Sequence, residues 1–346
     1  MGYLFQMKNF IALLLLITFQ NFYTQKLEFS TLLEDKVSIR AIEIWDGKVW
    51  YAGSMSKFGY VKIKNPKIKS QVQLNKMNQE FRVIARFKEN FFETVNIGSP
   101  AMFYGVSPYL KVSEHNKVSD STVFFDSFKV DAENNNGIML SDPKSDGSPR
   151  FYLTSKQRFF KSSKINLPKY EKGEAHFAAS NSNVALFKNF VWIASGGTKS
   201  RVFRFTWDAP NDWQVFETPF IQGSSSQGIY SIDFYNENFG IAVGGDYTKQ
   251  SENSNNIATT NDGGETWQIQ ASGKNAGYMT CVKIRPDSKG KDIIAVGDQH
   301  ISYSSNFGKT WTKISDEKGL YTVQWVNKNN LVFAGKNKIL KAKFKD

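Results

Sequence analysis

The side chains in this sequence that could do chemistry are two arginines and a Glu–His pair. Arg40 and Arg82 each stand third in a short alternating segment, SIRAIEI (38–44) and EFRVIAR (80–86). Two guanidinium groups that face one site can hold a carboxylate through paired hydrogen bonds. Glu174 and His176 are two residues apart, which on a strand places them on one face, as an acid and a base require. No nucleophile accompanies this pair, so a structural role is the favoured interpretation.

The sequence lacks the motifs that would bind a metal ion or a redox cofactor. Cys281 is the only cysteine, so neither an intramolecular disulfide nor a cysteine-based zinc site can form. His115, His176 and His300 are far apart, and the loop Asp142–Gly147 has too few oxygen ligands to hold calcium on its own. No G-x-G-x-x-G motif follows a strand, which leaves an oxidoreductase activity without support. We therefore expect no metal and no cofactor.

Composition excludes a disordered chain and narrows the class of partner. The 346 residues carry a net charge of +12, and 40% of them are hydrophobic and 15% aromatic. Such a chain can bury a large core. A basic surface suits anionic lipids, polysaccharides or acidic proteins. The lysines are scattered without a compact motif, so we expect no nucleic acid as a partner.

The N-terminus predicts export. Lys8 precedes an apolar run, Phe10–Phe19, which is too short to span a membrane but typical of a secretory signal. We expect residues 1–25 to be a signal peptide, with Met1 or Met7 as the start. The mature chain then begins near Lys26, has no transmembrane segment and works in the periplasm or outside the cell.

A β-rich unit recurs seven times, and each copy opens with a short strand. The openings are SIRAIEI (38–44), EFRVIAR (80–86), FFDSFKV (124–130), HFAASNS (176–182), GIYSIDF (228–234), YMTCVKI (278–284) and LYTVQWV (320–326). A second strand follows each opening and usually ends in small residues, as in VWIASGG (191–197), and only in the second copy, FFETVNIGS (91–99), is this pattern blurred. The intervals are those of a four-stranded propeller blade.

The two ends of the mature chain predict how the ring closes. The isolated strand LEFSTLL (27–33) precedes the first copy, and the last copy has room for only three strands, ending in ILKAKF (339–344). We therefore predict that residues 26–346 form one all-β domain, a seven-bladed propeller of four-stranded blades. The N-terminal strand pairs with the last blade and closes it.

Two copies carry a turn of the Asp-box type, S/T-x-D-x-G-x-T-W. They read TNDGGETW (260–267, beginning at Thr260) and SSNFGKTW (304–311). In such a turn the Asp or Asn bonds backbone N–H groups, Gly takes a positive φ, and Trp packs between blades. The residues predicted to have these structural roles are Asp262, Gly264, Trp267, Asn306, Gly308 and Trp311.

These segments together resemble a known family. SIRAIEIWDGKVWYAGS, GEAHFAAS, VWIASGG, GIYSIDFYNENFGIAVGGDYT and the TTNDGGETW box are similar to the photosystem II assembly/stability-factor-like propellers, in their secreted branch from non-photosynthetic bacteria. The resemblance covers the mature chain. It implies protein binding rather than catalysis, because the photosynthetic members look like assembly chaperones for membrane complexes. This sequence departs from the family in lacking clean Asp-boxes in its first three copies.

A second resemblance is to sialidases, six-bladed propellers with Asp-boxes. Their chemistry uses three arginines to hold a carboxylate, a Tyr–Glu nucleophile pair and an Asp acid/base. Arg40 stands where their first arginine would, but no Pro follows in an Arg-Ile-Pro motif and no third arginine opens a first strand. The sequence therefore favours a protein that is not an enzyme. The alternative is a carbohydrate-active enzyme, a glycoside hydrolase acting on an acidic glycan, with Arg40 and Arg82 on its carboxylate and Glu174 or an Asp as acid/base.

Propeller geometry predicts one binding face. Residues that open inner strands and residues that close second strands lie at the same end of every blade, opposite the Asp-boxes. The predicted channel mouth consists of Arg40, Arg82, Asp126, Asp142, Glu174, Tyr230, Asp246, Tyr247, Asp298 and Tyr321. These residues either form a binding site or only keep the strand ends in contact with water and bridge neighbouring blades. Our hypothesis is an exported, monomeric, non-catalytic propeller that binds a protein partner of the cell envelope or an acidic glycan.

Overall fold

The computed structural model describes residues 26–155, 158–161 and 167–345. The predicted signal peptide, 1–25, lies outside the described residues. In the described ranges every regular element is a β-strand, and no helix there is long and apolar enough to cross a membrane.

The first half of the described chain contains strands β1 to β13. Their bounds are β1 Lys26–Trp45, β2 Lys48–Gly53, β3 Lys57–Lys62, β4 Lys69–Gln73, β5 Ala85–Arg86, β6 Phe92–Val95, β7 Ala101–Val106, β8 Val112–Val118, β9 Phe125–Asp131, β10 Asn136–Ser141, β11 Arg150–Ser155, β12 Arg158–Lys161 and β13 Glu174–Ala175.

The second half contains strands β14 to β28. Their bounds are β14 Val184–Phe187, β15 Phe190–Ala194, β16 Gly196–Gly197, β17 Arg201–Thr206, β18 Ala209–Glu217, β19 Gln227–Phe234, β20 Gly240–Asp246, β21 Ile257–Thr260, β22 Gln268–Ile269, β23 Cys281–Ile284, β24 Ile293–Gly297, β25 His300–Ser304, β26 Thr312–Ser315, β27 Leu320–Asn327 and β28 Asn330–Lys345.

These strands form six hydrogen-bonded sheets, so the predicted seven separate four-stranded blades are wrong. Counted as sheets over the described residues, the propeller has six blades. Four of them hold four strands each, in the orders β5-β6-β7-β8, β12-β11-β10-β9, β14-β15-β17-β18 and β23-β24-β25-β26. The other two hold six strands each, in the orders β27-β28-β1-β2-β3-β4 and β13-β16-β19-β20-β21-β22.

The first of the six-stranded sheets, here called the closing sheet, explains the miscount. Strand β1 is 20 residues long and pairs with β28 through its first half, where Leu27 lies opposite Phe344, and with β2 through its second half. Residues 27–33 therefore do lie against residues 339–344. They do not complete a separate blade, because β1 continues into the first repeat and joins the first and last repeats in one sheet.

The fourth predicted opening strand is also wrong. Residues 176–182 contain no strand, and the inner strand of that sheet, β14, begins only at Val184. Ser180, Asn181 and Ser182 are buried and bond to other sheets. Their polar side chains therefore find partners across the ring rather than along a strand.

Local sequence patterns account for the turn Asp46-Gly47 and for the turns of the two predicted Asp-boxes. The turn Asp46-Gly47 has both residues at positive φ, 52° and 65°, as a two-residue hairpin requires. In the two predicted Asp-boxes, Asp262 and Asn306 each accept a backbone N–H through Oδ1, from Thr266 and Thr310 at 2.9 Å. Trp267 and Trp311 donate to the carbonyls of Gly264 and Gly308. These bonds are local to each turn and hold its conformation.

The core lies between neighbouring sheets and is largely aromatic. Trp50 of β2 stacks on Phe92 of β6 with ring centroids 4.4 Å apart, and Trp192 of β15 stacks on Phe234 of β19 at 3.8 Å. Both tryptophans are fully buried. Burial of side chains this large contributes roughly 2–3 kcal/mol each, so the packing of sheet on sheet fixes the ring that positions the site.

Candidate functional site

The central segment, residues 177–183 (FAASNSN), crosses the middle of the propeller. Ser180 Oγ donates to the Thr280 carbonyl at 2.7 Å, and Asn181 Nδ2 donates to the Ile84 carbonyl at 2.9 Å. Further bonds join the segment to Arg40, Phe128, Ser231 and Thr322. The inner strands of the ring are therefore tied to one another through this segment, and Ala178 and Ala179 form part of the cavity lining.

A cavity of about 620 Å³, here called the mouth cavity, brings together seven of the ten residues predicted at the channel mouth. They are Arg40, Arg82, Asp142, Tyr230, Tyr247, Asp298 and Tyr321. The repeat explains this convergence, because each unit places the start of its inner strand and the end of its second strand at the same end of the ring.

Three predicted mouth residues do not line the cavity. Asp126 is fully buried, and Asp246 is buried and accepts hydrogen bonds from Thr248, two residues along its own loop. Glu174 is buried against Arg201, whose Nη2 and Nε lie 2.6 and 3.0 Å from the two carboxylate oxygens. Glu174 therefore holds an ion pair in the interior and does not line the mouth cavity.

His176 is likewise engaged in the structure. Its Nδ1 donates to the Ala194 carbonyl at 2.9 Å, so Nε2 accepts from the Tyr170 hydroxyl at 2.7 Å. Burial lowers the pKa of this histidine to about 4. A neutral imidazole with both nitrogens occupied does not serve Glu174 as a catalytic partner.

Arg40 is a cation of the cavity lining that has no ion-pair partner among the described residues. Its Nη1 donates to the Ala179 carbonyl at 3.1 Å, and its guanidinium carbon lies 3.9 Å from the Tyr321 ring centroid. Its Nε is buried and has no hydrogen-bond partner. Burial first, and then the charge of Arg82, lowers the pKa of Arg40.

The neighbouring charge on Arg82 is already compensated. Its Nε donates to Glu80 Oε2 at 2.6 Å. Among the described residues no carboxylate forms a comparable ion pair with Arg40. An anion placed in the cavity would relieve the repulsion between the two guanidinium groups.

Two carboxyl groups, those of Asp142 and Asp126, have raised pKa values. Asp142 Oδ1 accepts the His176 backbone N–H at 3.1 Å, and burial raises the pKa of Asp142 to about 6. Burial and the nearby Asp142 raise the pKa of Asp126 well above its usual range. Asp142 therefore lines the cavity as a carboxyl with a raised pKa, and Asp126 lies buried behind the lining.

Several cavity residues were not predicted as binding residues. They are Phe124, Ala175, His176, Phe177, Ala178, Ala179, Ser225, Gln250, Tyr278 and Thr280. In the sixth repeat Met279 is fully buried, whereas Tyr278 and Thr280 on either side of it line the cavity. A one-residue shift in register exchanges the two faces of a strand.

Comparison with known proteins shows a fold likeness alone. No protein-family model matches the chain, and a search of curated proteins finds no match. A catalytically inactive virginiamycin B lyase from Staphylococcus aureus with quinupristin is similar in fold, with a TM-score of 0.68 and 13% identity over 92% of this chain and 99% of that one.

Two further solved structures are similar over nearly their whole length. YCF48 bound to D1 peptide has a TM-score of 0.64 and 12% identity, over 92% of this chain and 97% of that one. U3-55K has a TM-score of 0.65 and 10% identity, over 91% and 98%. Identities this low establish that the chain shares a β-propeller fold with a lyase and with a protein solved with a peptide bound, and a shared fold does not transfer an activity.

Proposed function

We propose that this protein is an exported, non-catalytic propeller that binds a segment of a protein partner of the cell envelope in the mouth cavity, as an assembly or stability factor would. The observation that carries the proposal is Arg40, a partly buried guanidinium with an unpartnered Nε and no carboxylate of its own in the described chain. Such a group favours an anionic ligand, since buried cations need a compensating charge. The fold likeness to YCF48 bound to D1 peptide supports a peptide as that ligand.

Affinity capture from cell envelopes tests this proposal. The wild type is compared with an Arg40→Gln/Arg82→Gln variant and with a Lys64→Gln/Lys67→Gln control, which removes the same charge far from the cavity lining. We expect the control to capture the wild-type set of proteins and the cavity variant to lose part of it. The same set from all three would count against the mouth cavity as the site.

Export is checked by the intact mass of the secreted chain, which should begin near Lys26.

A carbohydrate-active enzyme is the second candidate, and Asp142 is the observation that favours it. A general acid must be protonated near its working pH, and the pKa of about 6 meets this need in the cavity that Arg40 also lines. A panel of chromogenic glycosides and acidic glycans discriminates between the candidates. Turnover that Asp142→Asn abolishes would favour the enzyme, whereas a blank panel would favour binding.

The charge of Asp142 also predicts a pH dependence for anion binding. With a pKa of about 6, Asp142 is ionised above that pH and repels an anion held at Arg40, and it is neutral below it. His176 stays uncharged in this range, and Arg150 is the cation whose field acts on Asp142. A peptide carboxylate, with a pKa near 3.5, should therefore bind more tightly at pH ~5 than at pH ~7.5.

Calorimetric titration with an acidic peptide across this range measures the effect. Asp142→Asn is expected to bind at neutral pH with the affinity that the wild type reaches at low pH. An affinity of the wild type that does not change with pH would contradict the prediction.

A further inference from the structure

One wall of the mouth cavity is aromatic, and the anion-binding role of Arg40 does not explain it. The Phe177 ring lies parallel to that of Tyr230, with centroids 3.8 Å apart and 2° between the planes. Tyr278 packs edge-on against Tyr230 at 4.8 Å. Tyr230 and Tyr278 are buried, Phe177 is half-buried, and Tyr247 is 53% exposed. Phe177 is therefore the outer ring of a stack that begins in the protein interior.

The Phe177 ring is held rigidly. Its carbonyl accepts the Ala179 backbone N–H at 2.7 Å, which folds the central segment into a tight turn. A methyl group on Gly196 would lie 2.4 Å from Phe177 Cε2, so the ring sits where only glycine leaves room. On the stacked side, the Tyr230 hydroxyl donates to the Ser226 carbonyl at 2.8 Å. A ring that is already ordered loses little entropy when a ligand stacks on it.

The same short segment connects this ring to the anion site. Ala179 donates its N–H to Phe177 and accepts Arg40 Nη1 through its carbonyl at 3.1 Å. The charge of Arg40 also acts on the Tyr278 hydroxyl. A ligand that reaches Arg40 with an anionic group therefore has the aromatic wall beside it.

The lining next to Phe177 favours an aromatic side chain over a sugar. Ala175, Ala178 and Ala179 line the cavity there, and their methyl groups offer no hydrogen bonds. Beside these methyl groups a sugar ring would lose hydrogen bonds to water, which only the polar side chains of the lining such as Ser225, Gln250 and Tyr247 could replace, whereas an aromatic ring gains stacking and apolar burial.

We propose that Phe177, backed by Tyr230 and Tyr278, is a recognition slot for an aromatic side chain of the bound segment, adjacent to a carboxylate held at Arg40. This inference rests on the proposed function and specifies its ligand as a peptide with Phe, Tyr or Trp beside a carboxylate. That carboxylate belongs either to the chain terminus or to a neighbouring Asp.

Calorimetry of the mature chain with short peptides tests the slot. The probes are Ac-Gly-Gly-Phe-OH, Ac-Gly-Gly-Ala-OH, Ac-Gly-Asp-Phe-Gly-NH2 and Ac-Gly-Gly-Phe-NH2. At least one of the two probes with both Phe and a carboxylate should bind about tenfold more tightly than the Ala probe, because the phenyl ring buries apolar surface that the Ala methyl group does not. Which of the two binds identifies the source of the carboxylate.

Matched variants assign the effect to Phe177. Phe177→Leu keeps apolar volume and removes the flat ring, so the affinity for the Phe probe should fall about fivefold while that for the Ala probe stays the same. Phe307→Leu is the control, since Phe307 is 40% exposed and lies in the distant Asp-box-type turn. The comparison of probes on the wild type decides the question even if Phe177→Leu does not fold.

The outcomes separate this inference from the proposed function. If neither Phe–carboxylate probe binds more tightly than the Ala acid, the aromatic slot is overturned and carboxylate binding is left intact. If the Phe amide binds as tightly as the tighter of the two Phe–carboxylate probes, the slot is supported and the role of Arg40 is overturned. No binding of either Phe–carboxylate probe overturns the slot. The proposed function is tested separately, by the affinity capture from cell envelopes.

Discussion

Removal of residues 26–33 is expected to open the propeller and make the protein aggregate. This segment pairs with β28 from Lys345 to Ile339, and it contributes the buried side chains of Leu32 and Leu33. Burial of two leucines is worth roughly 3–6 kcal/mol, before the lost cover of Phe344 is counted. The free edge of β28 would then be available for pairing with other chains. Differential scanning calorimetry and light scattering measure both effects.

The matched control is deletion of the exposed loop Lys249–Ser254. The Gln250 carbonyl of that loop accepts the Tyr278 backbone N–H, but the loop buries no large apolar side chain. We expect a much smaller fall in the melting temperature and no increase in scattering. Equal losses in the two deletions would show that the pairing of the chain ends contributes no special stability.

Substitution of Glu174 by Gln is expected to destabilise the fold by roughly 3–5 kcal/mol, the usual cost of leaving one partner of a buried ion pair alone. Arg201 is 8% exposed, and Glu174 is its carboxylate partner through two hydrogen bonds. The Glu174 carboxylate also accepts the Glu171 backbone N–H and the Ser195 hydroxyl, so a neutral amide would satisfy fewer donors. Urea denaturation measures the free energy of unfolding.

Glu237→Gln is the control for that experiment. Glu237 pairs with Lys188 on the surface, where both side chains are largely exposed, and such pairs contribute about 0–1 kcal/mol. A Glu174→Gln protein as stable as the wild type would overturn the structural role. If that variant also lost an enzymatic turnover present in the wild type, Glu174 would return as a catalytic candidate.

The sequence by itself predicted strands in every repeat, although not correctly for the opening of the fourth, and it predicted the end of the ring at which they converge. Alternating apolar segments and small-residue strand ends are local signals, so VWIASGG (191–197) predicts the strands at Phe190–Ala194 and Gly196–Gly197. The Asp46-Gly47 turn follows from the φ preferences of two residues. Because every repeat has the same polarity, Arg40, Tyr230 and Tyr321 could be placed at one mouth without any knowledge of their contacts.

Only the tertiary structure decided how those strands divide into sheets and which polar residues reach the cavity. The fusion of the first and last repeats depends on pairing between β1 and β28, which are far apart in sequence. The path of the central segment depends on two hydrogen bonds of Asn181, whose Nδ2 donates to the Ile84 carbonyl and whose Oδ1 accepts the Phe128 backbone N–H. Glu174 does not line the mouth cavity, because its carboxylate pairs with Arg201 in the interior. Each of these outcomes depends on partners from other repeats, and a local pattern of residues does not encode such pairings.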